Sequence, residues 1–203
     1  MSKWDKLATG EEIERTIKAL KENGIDAIVV DGREEAKKEV LKIIPRGSEV
    51  MGMSSTTLEE SGIDEVLNSG RFDSVKQKLM KMDRTKQGQE MNKLGATPGW
   101  AVGSVHAVTQ DGKALIASNS GSQLPAYAYA ASNVIWVVGT QKIVKNFEDG
   151  MKRVYEYVLP LESERVKKAY GMPHSNVNKL LVVNNEIKAG RIRMILVKEK
   201  LGF

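Results

Sequence analysis

Apolar residues along the chain recur at two spacings, and the spacings take turns. Thr9 and Glu12 stand as a capping box, and Ile13, Ile17 and Leu20 follow at helical intervals. A helix is predicted to about Asn23, with Gly24 as its stop. Ile25–Val30 is a short continuous apolar run, the pattern of a strand buried on both faces. Glu34–Ile44 carries Ala36, Val40, Leu41 and Ile44 as a second amphipathic helix closed by Pro45, and EVMGM after it reads as a strand. Beyond SSTT a helix is predicted from about Leu58 to Leu67, and a longer helical pattern over Phe72–Leu94 is interrupted weakly at Gly88.

After GATPGW the pattern changes. WAVGSVHAVT and KALIAS are rich in β-branched and small apolar residues, and Gln110, Asp111 and Gly112 between them signal a hairpin. LPAYAYAAS reads as a helix of small residues, and NVIWVVG, the most apolar strand, is placed at the centre of the sheet. Asn146–Val158 and Leu161–Tyr170 are predicted helices, the second entered through Pro160, and KLLVVNNE and RIRMILVKEKL are predicted strands. Helix and buried strand in alternation give an α/β fold: a three-layer α/β/α sandwich around a mostly parallel sheet, which the hairpin makes mixed. With 203 residues and no linker or repeat, one domain spanning 1–203 is expected.

Composition narrows the chemistry. There is no cysteine, which excludes disulfides, thiolate nucleophiles and iron–sulfur ligation by this chain, and the two histidines, His106 and His174, lie far apart. No metal and no cofactor are expected. The net charge of +5 invites a nucleic-acid reading. The densest basic stretch, Lys76–Lys93, contains Asp83 and Glu90 and no aromatic residue to stack on bases, so a solvated helix face explains it better. No membrane span is expected, and the charged N-terminal stretch is unlike a signal peptide, so the cytoplasm is the expected compartment.

Two hydroxyl-rich turns carry the candidate chemistry. Ser54, Ser55, Thr56 and Thr57 lie between a strand and a helix, where hydroxyls and unpaired N–H groups suit a phosphate or carboxylate; plain N-capping is the competing explanation. Asn119, Ser120, Gly121, Ser122 and Gln123 form a second such turn, at the strand carboxyl end where open α/β sheets bind ligands. Lys142, just after the apolar strand, could neutralise a bound acid or simply be a solvated lysine. His106 is a weaker candidate, Trp100, Trp136, Tyr127 and Tyr129 read as packing residues, and no catalytic residue is assigned.

The run GSVHAVTQDGKALIASNSGSQLPAYAYAASNVIWVVGTQKIVKN, with YVLPLESERVKKAYGMPHSNVNKLLVVNNE, GRIRMILVKEKLGF and MGMSSTTLEESGIDEVL, resembles the LUD-domain proteins found with lactate-utilization systems. The resemblance implies a sandwich similar to ribose-5-phosphate isomerases, glucosamine-6-phosphate deaminases and CoA transferases, which bind sugar phosphates or CoA esters. It implies a small anionic metabolite as ligand, held at Ser54–Thr57 and Ser118–Gln123, and iron–sulfur sister subunits as partners; further copies of the chain are another partner option. The acidic residue on which isomerases and transferases rely has no counterpart in SNSGSQLP. An isomerase- or transferase-like enzyme using Glu59 or Glu60 therefore stands as an alternative, beside a non-catalytic assembly subunit with Met80, Met82 and Met91 on exposed helices.

Overall fold

The computed structural model describes residues 2–203. Its strands are β1 (Asp26–Val30), β2 (Glu49–Gly52), β3 (Asp73–Ser74), β4 (Trp100–Gly103), β5 (Ala107–Thr109), β6 (Ala114–Ser118), β7 (Asn133–Gly139), β8 (Ile143–Val144), β9 (Lys179–Val183) and β10 (Ile192–Val197). A six-stranded sheet takes the order β1-β10-β7-β4-β2-β3, and every neighbouring pair is parallel. Helices cover both sides. The expected α/β architecture with a mostly parallel sheet is therefore observed.

Strand β7 explains why alternation is invisible in the sequence. Val134, Trp136 and Val138 join the core on one face, and Ile135 and Val137 join the core on the other, so no position is left for a polar residue. One face packs against α2 (Arg33–Ile43), α3 (Thr56–Glu60) and α4 (Ile63–Leu67) through Ala36, Val40, Leu58, Ile63 and Leu67. The other packs against α1 (Gly10–Glu22) through Ile13 and Leu20, and against a second sheet through Val108, Ala114 and Ile116. Thr9 and Glu12 cap α1 reciprocally, as their spacing predicts.

The hairpin belongs to that second sheet, in the order β8-β5-β6-β9, and not to the central one. WAVGSVHAVT is not one strand: the chain leaves the central sheet at Gly103 and enters the second sheet at Ala107. The central sheet stays parallel and the antiparallel pairs β5–β6 and β6–β9 are confined to the smaller sheet.

Three helix boundaries also differ from the predicted ones. Leu58–Leu67 is divided between α3 and α4 because Gly62 turns left-handed, at φ 67°. The 72–94 pattern yields α5 (Val75–Met80) and α6 (Arg84–Ala96), divided at Asp83, which caps α6, and α6 is kinked at Gln87 (φ −119°, ψ 16°), next to the Gly88 where a weak interruption is expected. Conversely, α7 (Phe147–Lys152), a π-helical stretch (Arg153–Val158) and α8 (Leu159–Tyr170) run on without a break despite Pro160. The wider π register, with the Leu159 N–H bonded to Val154 O, accommodates the proline ring and its missing donor. LPAYAYAAS forms a single π turn, Ala126–Ala130, entered from Pro125. No helix among the described residues is long and apolar enough to cross a membrane.

Candidate functional site

Chain segments that follow β2, β4, β6 and β7 converge on one cavity of about 790 Å³. Convergence follows from the parallel sheet, whose strand carboxyl ends all point the same way, and from the small sheet that brings the end of β6 alongside. α6 and the α7–α8 run close the cavity from outside with Met91, Asn92, Val158, Glu162 and Arg165. Ser54, Ser55, Thr56, Thr57, Asn119, Ser120, Gly121, Ser122, Gln123 and Lys142 all line it.

The first turn leaves the hydroxyls of Ser54, Ser55 and Thr56 without a hydrogen-bond partner among the described residues, and engages only Thr57. Ser55 occupies the N-cap position of α3 at φ −158°, ψ 119°, and its side chain makes no capping bond. Thr57 is buried and donates to Leu201 O at 3.2 Å. The second turn satisfies itself. Ser118 Oγ donates to Gln123 Oε1 (3.0 Å) and accepts from the Gly121 N–H (2.8 Å), Ser120 bonds Ser122, and Asn119 accepts from Asn178 Nδ2. Gly121, at φ 87°, closes this turn, and a Cβ there would stand 2.5 Å from Lys179 Cδ.

Lys142 is not solvated. It is 3% exposed, and its Nζ donates to Thr57 Oγ1 at 2.9 Å and Ser104 Oγ at 3.2 Å. Burial and the nearby Arg153 cation push it down to about 7, partly opposed by Glu60. Arg153 is fully buried behind the wall; it donates to His106 O at 2.7 Å, while its Nε and one terminal nitrogen have no partner. Burial first, then Lys142 and Arg153, push His106 down to about 3. His106 is therefore neutral, and because Nδ1 accepts from the Ala117 N–H at 3.1 Å, its proton sits on Nε2. Besides Lys142, the charged side chains on the cavity wall are Arg84, Arg165 and Glu162, and Glu162 is matched by a bidentate pair with Arg165, both bonds at 2.7 Å. The wall is thus positive on balance.

Several participants had no signal in the sequence. Ser104 becomes a wall residue only because the chain changes sheets there. Arg153 looks like any helical arginine. Leu201 and Gly202 cross the base of the site, where Gln141 Nε2 donates to Leu201 O at 2.9 Å. Glu59 and Glu60 are exposed and do not line the cavity; Glu60 instead accepts from the Gly202 N–H at 2.7 Å. Tyr127 and Trp136 do pack, edge to face at 5.6 Å, but Tyr127 also faces the cavity, and Tyr129 is 88% exposed and packs against little. Among the described residues no group of three or more His, Cys, Asp or Glu side chains could hold a metal ion.

Compared with known families, residues 13–200 match the LUD domain. The chain belongs to the LUD-domain family. A crystal structure of a DUF162 family protein from Deinococcus radiodurans superposes on this LUD domain with a TM-score of 0.55 at 11% identity, covering 95% of this chain and 98% of that one. That likeness shows a shared fold. eIF2B beta from Chaetomium thermophilum fits more loosely, with a TM-score of 0.40 at 13% identity over 58% of this chain and 44% of the other. No curated protein matches the LUD domain described here.

Proposed function

We propose that the cavity binds a small anionic metabolite, a carboxylate, sugar phosphate or CoA ester, as part of organic-acid metabolism of the lactate-utilization kind. The observation that carries this reading is the balance of the wall: Arg165 pairs with Glu162, the one carboxylate among the described wall residues, and Arg84 remains as a surplus cation beside the Lys142 amine. Ser54, Ser55 and Thr56 add side-chain hydroxyls with no hydrogen-bond partner among the described residues, so an acid group entering there displaces no protein contact. The volume of about 790 Å³ suits a metabolite or the reactive end of a larger ester. Membership of the LUD family supports the metabolic setting.

Ligand-induced stabilisation tests the reading. Lactate, pyruvate, ribose 5-phosphate and acetyl-CoA at saturating concentration are each expected to raise, or fail to raise, the melting temperature according to fit, with at least one doing so. Failure of all of them would remove the small-anion reading.

A further inference from the structure

A lysine buried for purely structural reasons is normally matched with a carboxylate, because an ammonium taken out of water needs a counter-charge. Lys142 has no such partner among the described residues: its contacts are two hydroxyls, Thr57 Oγ1 and Ser104 Oγ. Thr57 gives its own hydrogen to Leu201 O, so toward Lys142 it can only accept. A neutral amine has two N–H groups and one lone pair. The two hydroxyls take the two N–H groups and leave the lone pair unengaged; an ammonium would have a third N–H without an acceptor. Arg153, from the π stretch, acts the same way by disfavouring a second cation, and His106 on the neighbouring wall is neutral. Glu60 opposes them in part, but its carboxylate makes no hydrogen bond to Lys142 and accepts instead from the Gly202 N–H. This amine lines the same cavity as the unengaged hydroxyls of Ser54, Ser55 and Thr56.

We infer that Lys142 is a nucleophile that forms an imine with a ligand carrying both a carbonyl and an acid group. The inference rests on the anion-site reading and narrows it: the acid group is held by the first turn and the arginines while the carbonyl meets Lys142 Nζ. The amine nitrogen attacks the carbonyl carbon, a C–N bond forms, both amine hydrogens pass to the carbonyl oxygen, and that oxygen leaves as water. The condensation consumes no oxidant or reductant. The carbonyl compound is either a 2-oxo carboxylate or an open-chain sugar phosphate, which share this chemistry.

Reductive trapping tests it on the intact wild-type protein. The protein is incubated at pH 7 with pyruvate, ribose 5-phosphate or lactate, treated with cyanoborohydride, and mapped by peptide mass spectrometry, with melting temperature measured in parallel. The expected result is a reduced adduct on Lys142 from one of the two carbonyl probes, about tenfold or more above any other lysine, because exposed amines stay protonated at that pH. The reacting probe identifies the ligand class. Lactate, which has the acid but no carbonyl, should leave no adduct, and Lys142→Arg should abolish labelling. Stabilisation by a carbonyl probe without an adduct on Lys142 would overturn the imine and leave the anion site standing. Adducts spread over surface lysines would overturn it equally. Neither stabilisation nor adduct with any of these probes would overturn the imine, and the absence of stabilisation by acetyl-CoA as well would overturn both readings. Because the adduct is located in the wild-type chain, the outcome does not depend on any variant folding.

Discussion

The turns Ser54–Thr57 and Asn119–Gln123 have similar compositions and opposite physics. Both follow a strand and both face the cavity. In the second, Gly121 folds the backbone back so that Ser118, Ser120 and Gln123 satisfy one another and the turn's own N–H groups. In the first, Ser55 lies extended at the mouth of a five-residue helix and caps nothing. A serine-rich turn is therefore available to a ligand only when its geometry denies it an internal partner. The second turn is closed on itself, and the first leaves the hydroxyls of Ser54, Ser55 and Thr56 facing the cavity without partners.

Crowding Tyr127 should disturb the wall most. At Gly103 a Cβ would overlap the buried Tyr127 hydroxyl. Gly103→Ala is expected to cost about 3 kcal/mol, measured by urea unfolding, because neither the sheet nor the ring has room to move. A stability near the wild-type value would mean that the Tyr127 ring can shift away from β4 at little cost.

Next in size is the response to pH. Lys142 ordinarily titrates at 10.5 and is held at about 7 in the fold, so between these values the unfolded chain binds the extra proton and stability rises with pH. His106, lowered from 6.5 to about 3, gives the same sign in that lower window, with stability lost as pH falls through it. In Lys142→Met, melting temperatures at pH 7 and 9.5 should lose the part of the rise that wild type shows there. An unchanged profile would mean that the amine is not buried away from solvent.

The two turns are then separated directly. Ser118→Ala removes two bonds of the self-satisfied turn and should cost about 1–2 kcal/mol, with Gly121→Val at least as damaging because its φ is 87°. Ser55→Ala should change stability by less than about 0.5 kcal/mol while reducing the thermal shift produced by whichever anion binds. Equal stability losses at Ser118 and Ser55 would erase the distinction.

The layered fold could be read from the sequence because it rests on local patterns: the Thr9–Glu12 cap, the apolar run of β7 and the hairpin turn at Gln110–Gly112 are each written in consecutive residues. The assignment of the hairpin to a sheet could not be read, since the break at Ser104–His106 leaves no proline or charge to mark it. Membership in the site was legible in the turns and in Lys142. The state of Lys142 was not, for it depends on Thr57, Ser104 and Arg153, which lie 85, 38 and 11 positions away. Pro160 misled for the opposite reason: a local rule was overridden by a π register that no short pattern encodes.

The strand order has a consequence for how the molecule is assembled during synthesis. β10 lies between β1 and β7, so until residues 192–197 have left the ribosome β1 has no neighbour in the central sheet. The nascent chain thus carries its first strand apart from β2, β3, β4 and β7 for most of its translation, and the late strand is the wedge that unites them.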